Sequence, residues 1–405
     1  MNAELTAAFT ERTGVFRREL LAFCYRMLGS AEDTEEAVQE TYLSAWRSYD
    51  TFEGRSSLRT WLYRIAARAC LKALDGAKRR PLPSGIAGPS ADPDGEVARD
   101  REVTWLQPFP SDPASIVETR ATIRLALVAA FQHLPPRQRA VLILRDVLEW
   151  RAAEVAHLLD MSTTAVNSAL QRARAQLPVV PDDIAEPSGP ERRALLDRCV
   201  TAFETADVNG LAVILTEDAS GEMPPIPTWS ADRDTVAAFL AGRQRMIGGM
   251  PAIPTTANGQ PAFAFYARHA EGGSRPHALH VLTLTKAGIS GIVSFQDPKL
   301  FPLFGPATRG QQLAKLLARR GQFPAARQLA DEALELVSPT SWAVVRAEIL
   351  MAKAEVNLLA GAPGQAEASL RAALRIYEDR HTAPPAEQVR DALASFDTHS
   401  ETNPA

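Results

Sequence analysis

The chain has 405 residues, with 44 Lys and Arg against 48 Asp and Glu and a formal net charge of −4. At about 150 residues per domain this length predicts several domains, and the charge excludes overall basicity as the source of any nucleic-acid surface, which must come from local segregation instead. Three cysteines, Cys24, Cys70 and Cys199, with no CxxC pair, exclude a disulfide framework and a cysteine zinc site. No apolar run reaches the roughly 18 residues of a spanning helix, and the start MNAELTAAFTERTG lacks a basic segment followed by an apolar one. A cytoplasmic protein with no membrane partner is the expectation.

In chain order, residues 1–80 read as helices (Leu20 to Leu28, Glu32 to Ser48, Leu58 to Ala77), with apolar positions three and four apart. Residues 81–117 are rich in Pro, Gly, Asp and Ser and read as a linker, although Trp105-Leu106-Gln107-Pro108-Phe109-Pro110 is too apolar for a plain one. Helical periodicity returns over 118–178, and PVVPDDIAEPSGP then breaks the chain. Residues 191–304 mix helices (191–206, 232–242) with alternating stretches at 262–269, 277–285 and 289–295, an α+β domain with a meander-like sheet. Residues 305–396 are helical and repeat at an offset of 40: Gly321, Ala326, Ala333 and Leu334 return as Gly361, Ala366, Ala373 and Leu374. Two helical hairpins follow, too few to stand alone, so they should pack on a neighbour.

Charge is segregated in the first domain. Residues 30–54 hold seven acids and one base, and residues 55–80 eight bases and one acid. Arg64, Arg68 and Lys72 recur every four residues, a stripe able to track phosphates, and Tyr49, Phe52, Trp61 and Tyr63 offer rings that could stack on unpaired bases. A solvated basic face with Trp61 and Tyr63 in the core is the open alternative. In Glu149–Leu177, a helix carrying Ala152, Val155, Ala156 and Leu159 meets a turn at Asp160-Met161 and a second helix that Ser162 can cap. Val166, Leu170, Ala173 and Leu177 form its packed stripe, and Thr163, Asn167, Gln171 and Arg174, with Arg172 nearby, its outer face. Asn and Gln pair with adenine and Arg with guanine, so this helix-turn-helix has groove-reading chemistry, with an ordinary polar hairpin as the alternative.

The stretches LLAFCYRMLGSAEDTEEAVQETYLSAWRSYDTFEGRSSLRTWLYRIA and HLPPRQRAVLILRDVLEWRAAEVAHLLDMSTTAVNSALQRARAQL, in that order, resemble domains 2 and 4 of an extracytoplasmic-function (ECF) sigma factor of the sigma-70 family. The resemblance implies a protein that binds bacterial core RNA polymerase, at the β′ coiled coil and β flap, and directs it to promoter DNA. Asp33, Glu36, Gln39 and Glu40 would dock on β′, their acidity complementing a basic partner. Tyr49, Phe52, Gly54 and Arg55 would capture a base flipped from the minus-10 element, and Arg59, Arg64, Arg68 and Lys72 would hold the opened strand. Thr163, Thr164, Asn167, Gln171, Arg172 and Arg174 would read the minus-35 element. Arg68 and Lys72 depart from the Asn and Asp frequent in the family and add positive charge.

The α+β segment resembles a SnoaL-like domain of the cone-shaped fold of polyketide cyclases and ketosteroid isomerases. Some sigma factors carry one in place of a separate anti-sigma partner, and WLQPFP and SFQDPKLFPLFG look like its accompanying motifs. That implies regulation in cis through the interdomain linker. The 305–396 hairpins resemble tetratricopeptide-like repeats, for which a protein partner and a plain packing role both stand. The expected fold is therefore two all-α sigma domains, an α+β cone and an all-α repeat segment.

Within the cone, Asp218, Glu222, Tyr266, His269 and His280 are the residues an enzyme or a small-molecule site would draw on. His277 and His280, three apart on a strand, should face opposite sides and not share a metal. No P-loop, Rossmann or GxSxG motif occurs, and no catalysis, cofactor or metal is expected. The rival to a sigma factor is a conventional helix-turn-helix regulator, which has no need of the acidic helix beside a basic, aromatic one.

Overall fold

The computed structural model describes residues 3–54, 56–95, 98–110, 124–177, 189–205, 207–247, 252–268, 274–304, 314, 317–319, 321–337, 343–379, 389–390 and 392–393. The N-terminal domain is built from α1 (Ala3–Gly14), α2 (Arg17–Leu28), α3 (Ala31–Arg47) and α4 (Leu58–Ala73). Periodicity predicts the last three. The added α1 brings Phe9 into their core, 5.1 Å from the Trp46 ring. Ser30 and Ser57 cap α3 and α4, their hydroxyls accepting from the backbone N–H groups of Asp33 and Thr60 at 3.2 and 3.1 Å. Gly29 ends α2 with a φ of 67°, and a Cβ there would lie 2.7 Å from Leu106 Cδ1, so glycine both closes the helix and admits the linker.

The second helical domain comprises α5 (Leu125–Phe131), α6 (Pro136–Leu142), α7 (Ala152–Leu159) and α8 (Thr163–Gln176). It shares one hydrophobic core with the first: Tyr63 of α4 lies 5.0 Å from the Trp150 ring, and Arg139 donates to the carbonyl of Met27. The sequence predicts two domains joined by a chain that buries little. The structure corrects this, because the linker carries apolar anchors among its prolines: Leu82, Pro83 and Leu106 are buried. Fully burying a leucine such as Leu106 contributes about 1.5–3 kcal/mol.

Residues 189–304 hold α9 (Gly189–Thr205), α10 (Val208–Ile214), β1 (Leu215–Glu222), β2 (Trp229–Ala231), α11 (Arg233–Ile247), β3 (Ala252–Ala257), β4 (Gln260–Arg268), β5 (Ser274–Thr285) and β6 (Gly288–Phe295). The sheet runs β2-β1-β6-β5-β4-β3, with β1 parallel to β6 and the other pairs antiparallel. Alternation sorts its faces. Phe263, Phe265, Leu282 and Leu284 pack with the helices, whereas Ala262, Ala264, Leu279 and Val281 pack against Leu82, Leu106, Leu125 and Phe301. The sheet is thus a hub between its own helices and the N-terminal half.

The C-terminal helices are α12 (Phe323–Val337), α13 (Ala343–Leu359) and α14 (Pro363–Asp379). Gly321 and Gly361 both take left-handed φ values, 76° and 69°, just before α12 and α14, which gives the 40-residue offset a structural counterpart. Ala326, Leu329 and Ala330 share a core with Phe301 and Phe304 below the sheet, so the hairpins do pack on a neighbour. Among the described residues no helix is long and apolar enough to cross a membrane.

Candidate nucleic-acid interface

On α3 the spacing of apolar residues turns Ala37, Val38 and Thr41 inward and leaves Glu36, Gln39 and Glu40 exposed. Asp33 is pinned beside them by Arg80 at 2.5 Å, and Glu35 by Arg17 at 2.7 Å. Leu43, 50% exposed, lies one turn beyond Gln39 and Glu40 and adds an apolar centre to this acidic face. A reading that follows charge alone misses it, though its spacing from Gln39 and Glu40 is the signal.

Past α3 the chain makes a short turn, Tyr49–Thr51. Phe52 lies 4.8 Å from the Trp61 ring, and Tyr49 lies 6.5 Å from it while its hydroxyl accepts from Arg12 Nη1 at 2.8 Å. Gly54 is exposed with a φ of 69°. Arg55 lies outside the described residues. Tyr63 corrects the expectation of a fourth stacking ring: it is on the inner face of α4 with Leu62, Ala66 and Cys70, fully buried. Its hydroxyl donates to Glu19 Oε2 at 3.2 Å, and burial pushes the phenol pKa up.

The basic stripe does not stand free either. Arg59 Nε donates to Glu19 at 2.8 Å, with its guanidinium over the rings of Tyr63 and Trp150 at 5.2 and 5.4 Å. Arg64 and Arg68 both reach the helix-turn-helix, donating to Asp160 Oδ1 and Oδ2 at 3.0 and 2.8 Å. The hydrogen bond from Arg68, then the two positive charges, hold the Asp160 carboxyl below its usual range. Lys72 is exposed. The predicted phosphate-tracking face is therefore occupied in large part by the second domain.

In that domain Ser162 caps α8, accepting from Ala165 N at 3.1 Å, and Asp160 makes the turn with a φ of 53°. Val166, Leu170 and Ala173 are buried, and Thr163, Thr164, Asn167, Gln171 and Arg172 are exposed opposite them. Arg174 is exposed as well but is engaged by both oxygens of Asp146, at 2.8 and 2.7 Å, a contact the sequence reading did not anticipate.

Residues 15–80 match the family Sigma-70 region 2, and residues 124–177 the family Sigma-70, region 4. Over 309 residues the chain is 49% identical to ECF RNA polymerase sigma factor SigG of Mycobacterium tuberculosis, covering 73% of this chain and 83% of that protein. The chain belongs to the ECF RNA polymerase sigma factors. SigJ of the same organism is 28% identical over 239 residues, 57% of this chain and 72% of that one. The crystal structure of SigJ aligns with a TM-score of 0.50 at 18% identity, over 72% of this chain and 98% of that chain, a likeness of fold.

The sigma factor's linker is bound to both of its neighbours. β3 and β4 are joined by Asn258-Gly259, whose positive φ values, 56° and 69°, suit the tight hairpin turn that Asn-Gly favours. That tip is buried. Asn258 N donates to Phe109 O, its Oδ1 accepts from Phe109 N, and its Nδ2 donates to Tyr25 OH, each at 2.8 Å. Tyr25 OH donates in turn to Gln107 O at 2.8 Å and its ring stacks on Phe109 at 4.6 Å. Farther up the linker, Trp229 Nε1 donates to Ala87 O at 2.7 Å and Ser84 N to Glu222 Oε2 at 2.8 Å.

Glu222 also lines a cavity of about 50 Å³ in the sheet domain with Phe203, His277, His280 and Gln296. Burial raises the Glu222 pKa, and burial pushes His280 down to about 3. The expectation that His277 and His280 face opposite sides fails, because the β4–β5 register shifts at Phe265/Tyr266, leaving His277 as the extra residue of a bulge. Asp218 is exposed and accepts from Thr216 at 2.7 Å, outside the cavity lining. The Tyr266 side chain and His269 lie outside the described residues. Among the described residues no group of His, Cys, Asp and Glu could hold a metal.

Proposed function

We propose that this sigma factor is restrained by its own C-terminal half, a SnoaL-like cone (191–304) backed by tetratricopeptide-like hairpins (305–396), and initiates transcription when that restraint is released. In this reading residues 1–80 are domain 2, 81–117 the linker and 118–178 domain 4. Asp33, Glu36, Gln39 and Glu40 meet core polymerase. Tyr49, Phe52, Gly54, Arg55, Arg59, Arg64, Arg68 and Lys72 hold the minus-10 strand, and Thr163, Thr164, Asn167, Gln171, Arg172 and Arg174 read the minus-35 duplex.

The observation that carries the regulatory part is Asn258, whose one buried side chain joins the cone, the linker and domain 2. While these bonds hold, domain 4 stays on α4 and Asp160 competes with phosphate for Arg64 and Arg68. The test is in vitro transcription with core polymerase, comparing the full chain with Asn258→Gly. Glycine keeps the positive φ without strain and removes only the side chain. Its loss leaves Phe109 N without its acceptor, a cost of about 1–3 kcal/mol to the closed form. More initiation by the variant supports the reading, and equal or less initiation sinks it.

A second reading concerns the cone cavity. The buried His280 Nδ1 has no hydrogen-bond partner, which favours a small molecule with one polar group bound there, and competition for Glu222 would loosen Ser84.

A further inference from the structure

A second cleft, of about 530 Å³, lies where domain 2, the linker and domain 4 meet, and none of the residues assigned to promoter DNA and none of residues 191–304 lines it. Lys78, Arg79 and Arg80 line it from the end of the basic segment, Thr104 from the linker, and His133 and Arg139 from domain 4. These are four fixed cations against one carboxylate, Asp33, and that carboxylate is already paired with Arg80. Arg79 donates to two neutral groups, His133 Nδ1 at 2.9 Å and Gly85 O at 3.1 Å. Burial, and then the charges of Arg79 and Arg139, hold the His133 imidazole below its usual pKa, so its nitrogen stays an acceptor.

Arg139 is the deeper signal. It is 3% exposed, yet its hydrogen-bonding partners are oxygens of Met27, Gln132 and Leu134, every one of them uncharged. Its Nε is buried with no partner. A desolvated guanidinium without an anion is costly, and burial accordingly draws its pKa down to about 10. The rest of the lining is largely apolar, with Leu28, Leu74, Leu134, Pro135 and Pro136 beside Gln132. The cleft therefore offers cations to a multiply charged oxyanion and apolar surface to a flat, weakly polar ring. Its volume falls in the range of small-ligand sites, and a concave pocket of that size takes one nucleotide rather than the side of a duplex.

We propose that this cleft binds a nucleoside di- or triphosphate, with the phosphates on Lys78 and Arg79 beside Arg139 and the base against the Leu74, Leu134 and Pro135 wall. Because the walls come from both helical domains, an occupant favours the arrangement in which those domains are packed together, by simple linkage.

The experiment is titration calorimetry of the full-length protein at physiological salt with GTP, ATP and pyrophosphate as probes, paired with thermal melting. One-to-one binding is expected, with the triphosphates tighter than pyrophosphate and a rise in melting temperature in their presence. Lys78→Glu and Arg79→Ala should each weaken binding by about tenfold or more, the loss of one charge-assisted contact. Lys78 is exposed with no ion pair among the described residues, so Lys78→Glu keeps the fold testable should Arg79→Ala disturb the linker. No heat from any probe at millimolar concentration overturns the proposal, as does binding that both variants leave unchanged. If a duplex oligonucleotide displaces GTP and Lys78→Glu abolishes duplex binding too, the cleft belongs to a nucleic-acid surface and the nucleotide site falls.

Discussion

Arg68 Nη2 lies 2.8 Å from Asp160 Oδ2, so a helix assigned to the opened strand is bonded to the turn of the domain assigned to the duplex. Arg64 completes the contact on the other oxygen at 3.0 Å. A carboxylate in this place does two things: it links the domains and it supplies negative charge where phosphate would otherwise sit. The groups are solvent-exposed, so the pair is weak in stability terms and its consequence lies in competition with nucleic acid.

Asp160→Asn tests that competition. Asn tolerates the left-handed backbone at this turn as Asp does, and it gives up the charge. Fluorescence anisotropy with a labelled single-stranded minus-10 oligonucleotide should show tighter binding and a steeper salt dependence. Two arginines freed for phosphate add about 0.7 each to the slope of log K against log salt. An unchanged slope would mean that Arg64 and Arg68 do not meet the strand. Melting temperature should stay close to that of the parent.

The acidic face of α3 invites a separate test, since it is distant from these pairs in role. Glu36→Lys reverses a charge at an exposed position, and Leu43→Ala removes the half-exposed leucine beside Gln39 and Glu40. Both should weaken binding to core polymerase, Leu43→Ala by about 1 kcal/mol or more if the side chain becomes buried against the partner. Oligonucleotide binding should not change. A loss of both activities together would point to damage to the fold.

Much of the architecture was legible in the sequence. The helix-turn-helix stripe Val166, Leu170, Ala173 and the Ser162 cap follow from 3.6-residue periodicity and capping chemistry, and the structure has both. The alternation in AFAFY predicted a strand, and the repeat of Gly321 as Gly361 marked matching helix starts. What was not legible depends on partners distant in sequence. Tyr63 in the core was one of two readings left open, and the packing of Phe23 and Trp150 on its ring decides between them. Pro and Gly around Leu82 and Leu106 suggest a linker without surface to bury, yet single leucines suffice as anchors once a sheet of alanines faces them. The bulge at His277 is a register event between two strands, which no local pattern encodes.

The cavity lined by Glu222 and His280 carries a pH dependence of its own. His280 has its pKa pushed from 6.5 to about 3 by burial, and the nearby His277 acts in the same direction. A base whose folded value is depressed contributes stability that is present above its unfolded value and lost as pH falls. The chain should therefore lose about 1.4 kcal/mol per pH unit from this group between about pH 6.5 and pH 3. His280→Phe, placed between Phe203 and Phe265, removes the titrating group and the partnerless nitrogen. Its melting temperature should match or exceed the parent at neutral pH and fall less on acidification. A parallel fall in both proteins would show that other groups govern acid sensitivity.

Glu222, in the same cavity, has the opposite sign. Burial raises its pKa above the ordinary 4.5, against the smaller effect of the Ser84 N–H, so the folded chain holds the proton more tightly than the unfolded one. Its favourable contribution is complete below about pH 4.5 and is lost as pH rises through the raised value. Ionised Glu222 is thus a net cost at neutral pH, even though it is the acceptor that anchors Ser84. Glu222→Gln keeps an acceptor for Ser84 and removes the charge, so the variant should be more stable than the parent at pH 7, with the difference shrinking toward pH 4.5. Glu222→Ala removes the acceptor as well. Limited proteolysis within residues 81–95 should then quicken for alanine and not for glutamine, because only alanine removes the acceptor of Ser84. If both variants are cut at the parent's rate, the Ser84 contact does not hold the linker and the restraint rests on the remaining contacts, Trp229 with Ala87 and Asn258 with Phe109.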